Sequence, residues 1–119
     1  MSRARFFTEE DIQRRSPRLI SHMIADIPGA RLDCSRNAGL RSRNCVLRFA
    51  GGPGCASTNV YLNGIRVIRS DNQQGATPID QLVQPSEVAA VEVYPSAAGL
   101  PAEFGGSTGQ CGAVVIWTK

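Results

Sequence analysis

Long apolar runs are missing from this 119-residue chain. No stretch approaches the roughly 18 consecutive apolar residues that a membrane-spanning helix needs. Histidine occurs once, as His22, and lysine once, as Lys119. His22 falls off the apolar stripe of its segment, beside Arg18 and Asp26, which gives it no nucleophile to activate and no metal to share. Basic density is also low. The net charge is +3, carried by arginines scattered from Arg3 to Arg69, so the dense basic stripe of a nucleic-acid binder is absent. The start, MSRARFFTEEDI, is basic but has no apolar h-region, so this chain carries no recognisable export signal.

Four cysteines are present: Cys34, Cys45, Cys55 and Cys111. They contain no C-x-x-C pair and have no histidine beside them, which speaks against structural zinc. An even count at wide spacing fits a disulfide framework and an oxidising compartment. Together with the missing signal, this leads to the expectation of a periplasmic or outer-membrane-associated domain whose leader lay upstream.

Local signals divide the chain into short elements. Thr8, with Asp11 three residues on, predicts a capped helix from about Glu9. Ser16-Pro17 reads as the cap and first turn of a second helix. Its stripe is Leu19, Ile20, Met23, Ile24 and Ile27, stopped by Pro28-Gly29. ARLDCS and CVLRFA read as two strands around a polar turn, and Asn63-Gly64 as a hairpin within NVYLNGIRVI. IDQLVQPSEV reads as a helical turn interrupted at Pro85, VAAVEVY as a strand, and GAVVIWT as a buried closing strand. Helices interleaved with short strands predict an α+β fold, a small mixed β-sheet with short helices packed on it. A single domain over 1–119 is expected, with 1–7 a flexible N-terminal lead-in.

The glycine-rich stretch before the last strand invites two catalytic readings, and both fail. Gly105-Gly106-Ser107-Thr108-Gly109 matches G-x-S-x-G, but a strand follows instead of a helix and no histidine comes after Ser107. A phosphate loop needs a following helix whose N-terminus faces the anion, and neither nucleotide-binding fingerprint is present. Gly105 and Gly106 therefore read as turn glycines. No catalytic residue, metal site or cofactor is predicted.

Four cysteines allow three connectivities. A hairpin over 30–50 would set Cys34 opposite Cys45. Parallel strands after Cys55 and Cys111 would bring those two together, so Cys34–Cys45 and Cys55–Cys111 is the preferred pairing. Glu92 alternates with Val91 and Val93 and so faces away from them. Arg48 holds a similar place in CVLRFA. An Arg48–Glu92 ion pair across neighbouring strands is one expectation, and an exposed polar face is the other.

Taken in order, the segments resemble the plug domain of TonB-dependent outer-membrane receptors. LISHMIADIPGARLD is similar to that family's opening, VYLNGIRV to its strand-Gly-strand, and the segment from Val83 to Lys119 to its close. The closing match runs through Val91-Glu92-Val93, Phe104-Gly105, Gly112 and Thr118-Lys119, and the resemblance covers about residues 8–119. It implies a non-enzymatic domain acting by ligand binding and gating. Its partner would be a β-barrel or another periplasmic protein, and it would take a small-molecule ligand of unknown identity. It further implies turn roles for Gly64, Gly105, Gly106 and Gly112, and structural or gating roles for Arg48 and Glu92. The sequence departs from the family at Phe49, where a glycine is usual, at Asn63, where an aspartate is usual, and in its cysteines. The alternative is a free-standing periplasmic interaction module that keeps the plug fold and uses disulfides in place of a barrel wall. Neither reading involves nucleic acid or direct membrane insertion.

Overall fold

The computed structural model describes residues 4–34, 45–49, 55, 57–69, 78–96, 101 and 111–119. The first described element is strand β1 (Arg5–Thr8), so residues 5–7 differ from the flexible lead-in expected for 1–7. Phe7 explains the difference: it is buried in the core, and its burial holds the segment along the sheet edge.

Helix α1 (Glu9–Arg15) follows directly. Thr8 Oγ1 accepts from the Asp11 N–H (3.1 Å), while the Asp11 carboxylate accepts from the Thr8 N–H (2.9 Å), a reciprocal capping box. The bonds from Thr8, backbone first and hydroxyl second, hold the Asp11 carboxyl below its ordinary value, with Arg14 and Arg15 adding to the effect. A depressed folded-state pKa contributes stability at pH above the unfolded value of 3.8, and that contribution is lost as pH falls through the folded value. Asp11→Asn is therefore expected to be less stable than the parent at pH 6. The gap should close below about pH 3.8 in urea titrations at each pH.

Ser16 ends α1 instead of starting the next helix. Its φ of 46° is left-handed, and its N–H donates to Ile12 O at 2.9 Å. Pro17 disfavours right-handed helix at the residue before it, so the same Ser-Pro pair works as a stop. Helix α2 is consequently short (Ile20–Ile24) and begins after Leu19. Its apolar stripe is as the periodicity predicts, with Leu19, Ile20, Met23, Ile24 and Ile27 all buried.

Strands β2 (Arg31–Cys34) and β3 (Cys45–Arg48) pair antiparallel as a separate two-stranded sheet. Strands β4 (Asn59–Leu62) and β5 (Ile65–Ile68) form the expected hairpin. Two 3₁₀ turns, Ile79–Gln81 and Pro85–Glu87, lead into β6 (Val88–Tyr94), and β7 (Ala113–Thr118) closes the chain. The main sheet has the order β1-β6-β7-β4-β5; β4 and β7 run parallel, and the other neighbours antiparallel. The centre of the sheet is buried on both faces, so Ala113–Ile116 is an unbroken apolar run. One face, with Phe7, Val60, Val91, Val93, Val114 and Ile116, packs with the side chains of α2. The other carries Tyr61, Tyr94, Ala113 and Val115.

The hairpin turn is left-handed at both central residues, Asn63 (φ 51°) and Gly64 (φ 92°), as a type I′ turn requires. Asn63 also ties the turn to β7. Its Nδ2 donates to Thr118 Oγ1 (2.9 Å) and its Oδ1 accepts from the Thr118 N–H (3.0 Å). An aspartate would lack the donor. Asn63→Asp should lose about 0.5–1.5 kcal/mol in denaturant unfolding.

Candidate functional site

Strand directions give the main sheet two unlike ends. The chain enters β4 and β7 and leaves β5 and β6 at one end, so three connections, across 50–58, 69–78 and 95–112, start or finish there. The opposite end holds the Asn63-Gly64 turn, the start of α1, the second 3₁₀ turn and Lys119. An end at which several connections meet a rigid frame is the usual setting for a binding site.

Cys55 and Cys111 are disulfide-bonded at that end, 56 residues apart in sequence. The bond joins the approaches to the two parallel strands, β4 and β7. Cys45 is disulfide-bonded too and stands opposite Cys34 in the β2–β3 register. The Cys34 side chain lies outside the described residues, so we propose the Cys34–Cys45 bridge on this register alone.

Gly112 is closely packed. Its φ is +79°, and a Cβ there would lie 2.7 Å from Tyr94 O, 2.9 Å from Phe49 Cδ2 and 3.0 Å from Pro95 O. Phe49 thus fills the space beside Gly112. The Gly112 carbonyl accepts from both the backbone N–H (3.3 Å) and Nδ2 (3.1 Å) of Asn59, which is itself buried. The Thr58 N–H donates to Leu47 O (3.0 Å) and so ties the small sheet to the large one. Gly64 and Gly112 both adopt backbone that favours glycine; Gly105 and Gly106 lie outside the described residues.

Arg48 and Glu92 are not brought together. Arg48 sits on the two-stranded sheet, where its Nε lies 2.6 Å from Asp33 Oδ2, close but without an aligned N–H···O geometry. Glu92 sits on the five-stranded sheet. Its Oε1 accepts from Tyr94 OH (2.5 Å) and its Oε2 from Trp117 Nε1 (2.6 Å). Alternation identifies the face a residue takes, but it does not say which sheet a strand joins, and here the two strands belong to different sheets.

A buried carboxylate also escaped the sequence reading. Asp80 is 2% exposed, and its Oδ1 accepts from the Ser21 N–H at 3.0 Å while its Oδ2 accepts from the Ser21 hydroxyl. It fastens the segment leaving the loop end to α2. The available signal was a lone acid between Ile79 and Leu82, in a stretch otherwise read as a helical turn. Asp80→Ala should cost about 1–3 kcal/mol by leaving the Ser21 donors buried and unpaired, as measured by urea unfolding. Among the described residues, no group of three His, Cys, Asp or Glu side chains is arranged to hold a metal, and no helix is long and apolar enough to cross a membrane.

No curated protein sequence matches the chain at a significant level. Solved structures do. The ferric enterobactin receptor PfeA of Pseudomonas aeruginosa, in complex with enterobactin, is 28% identical with a TM-score of 0.63; the match covers 98% of this chain and 17% of the receptor. The siderophore receptor PirA of the same organism is 28% identical with a TM-score of 0.57, over 98% of this chain and 18% of the receptor. The RagAB peptide importer shares the fold at 12% identity with a TM-score of 0.59, over 99% of this chain and 12% of its own. The chain therefore spans less than a fifth of the receptors it resembles. The model of the TonB-dependent Receptor Plug Domain matches residues 2–109, nearly the whole sequence, and the chain belongs to that family.

Proposed function

We propose that the chain acts without catalysis as the ligand-binding gate of an outer-membrane uptake receptor. Its loop-bearing end would face the incoming ligand and a β-barrel would enclose it. The observation that carries this reading is the convergence of three connections at one end of a sheet that Cys55–Cys111 and Gly112 hold together. Identity of 28% to a ferric enterobactin receptor and to a siderophore receptor supports an iron-chelate ligand. Arg48 and Glu92 serve on two separate surfaces of the plug instead of forming one gating pair.

A second reading, a free-standing periplasmic interaction module, is favoured by the buried disulfide, since a covalent tie can replace support from a barrel wall. Cell fractionation followed by immunodetection of the native protein separates the two. Recovery with the outer membrane, in a species several times larger than 12.7 kDa, is the expected result. Recovery as a small soluble periplasmic species would overturn the gate and leave the module.

A further inference from the structure

We propose that Asn63 is a site of spontaneous covalent modification, losing its side-chain amide to the Gly64 nitrogen at a rate set by its clamp on Thr118. Asn63 is the one asparagine in the sequence followed by glycine. Both residues of the turn are exposed. Glycine obstructs its own nitrogen least, because it carries no Cβ. Nothing lies within 4 Å of a Cβ built on Gly64, so no packed neighbour shields that side of the turn.

The reaction needs only the chain and water. The Gly64 N–H gives up its proton and its nitrogen bonds to Asn63 Cγ. The Cγ–Nδ2 bond breaks, and Nδ2 takes up a proton and leaves as ammonia. One water then opens the cyclic imide. Opening at Cγ leaves aspartate, and opening at the Asn63 main-chain carbonyl leaves isoaspartate.

The fold opposes the first step. Asn63 Nδ2 donates to Thr118 Oγ1 (2.9 Å), Oδ1 accepts from the Thr118 N–H (3.0 Å), and the Asn63 N–H donates to Ile116 O (2.9 Å). The side-chain amide is thereby held against β7, and Cγ meets the Gly64 nitrogen only after both side-chain bonds are released. Each such bond lowers the released fraction by roughly threefold to tenfold. Isoaspartate adds a methylene to the main chain of a two-residue turn, which the Leu62–Ile65 pairing cannot accommodate. Among the described residues β5 pairs with β4 alone, so β5 is the strand that modification would release. The turn lies at the end opposite the connections, and the inference is independent of the gate reading.

The oxidised chain would be held at mildly alkaline pH and sampled over weeks, beside the free peptide acetyl-Leu-Asn-Gly-Ile-amide. Tryptic mapping of the reduced samples reads amide-to-acid conversion at Asn63, and isoaspartyl methyltransferase labelling reads isoaspartate. With two side-chain bonds to release, the folded chain should convert roughly tenfold or more slowly than the peptide. Thr118→Val removes the hydroxyl and keeps the N–H, and should convert roughly threefold to tenfold faster than the parent. Thr118→Ser restores the hydroxyl and should match the parent. Should the valine variant lose its native amide spectrum, Thr118→Ala takes its place with the same expectation. Equal rates for the parent and the variant lacking the hydroxyl would overturn the inference. So would an unconverted Asn63 in that variant after many half-lives of the peptide.

Discussion

Removing the Cys55–Cys111 bridge, as the Cys55→Ala/Cys111→Ala double variant, is expected to lower the unfolding free energy by roughly 4 kcal/mol. The two residues are 56 apart in sequence, and freeing a loop of that size restores chain entropy of about that amount to the unfolded state. Both positions are buried, so two alanines also leave a small void. A fall in Tm on the order of 15 °C follows for a domain of this size. The double variant is preferable to chemical reduction because Cys45 is disulfide-bonded as well. Hydrogen exchange should locate the loss at the starts of β4 and β7. An unchanged melting temperature would mean that the sheet holds its loop-bearing end together without the bond. The covalent argument for a free-standing module would then fail.

Gly112→Ala should be comparably damaging, at roughly 2–5 kcal/mol. Two penalties combine there. A left-handed backbone costs a side-chain-bearing residue about 1–2 kcal/mol, and overpacking adds about 1–3 kcal/mol. The second penalty is hard to relieve, because two of the three obstructing atoms are the backbone carbonyls of Tyr94 and Pro95. Gly64 supplies the control. Its φ of +92° is equally left-handed, yet nothing lies within 4 Å of a built Cβ. Gly64→Ala should therefore cost only about 1–2 kcal/mol. Equal losses for the two variants in urea unfolding would refute the close approach at Gly112 as the source of the larger effect.

Much of the local structure could be read directly from residue order. Thr8 and Asp11 announce the start of α1, and Asn63-Gly64 announces a turn that closes with both residues left-handed. The stripe from Leu19 to Ile27 is buried as its spacing predicts. Each of these signals is local, decided by atoms within a few residues of one another. Ser16-Pro17 shows where locality becomes ambiguous. Serine before proline suits a helix start, and it suits a left-handed helix stop equally well. The preceding turn of α1 selected the stop. Residues 5–7 are strand where a lead-in is expected for a related reason, since a four-residue edge strand has almost no pattern of its own and forms because β6 lies beside it.

Residue order by itself determined the kinds of element, their turns, the apolar faces and the family resemblance, because capping, periodicity and turn chemistry act between neighbours in the chain. Only the tertiary structure decided which strands lie side by side. That assignment gave Arg48 to Asp33, left Glu92 among aromatic rings, buried Asp80 against Ser21 and set Cys55 beside Cys111. The partners in the last three of these cases are 25, 59 and 56 residues apart. Contacts at such separations depend on how two sheets and two helices share one core, and no single segment encodes that.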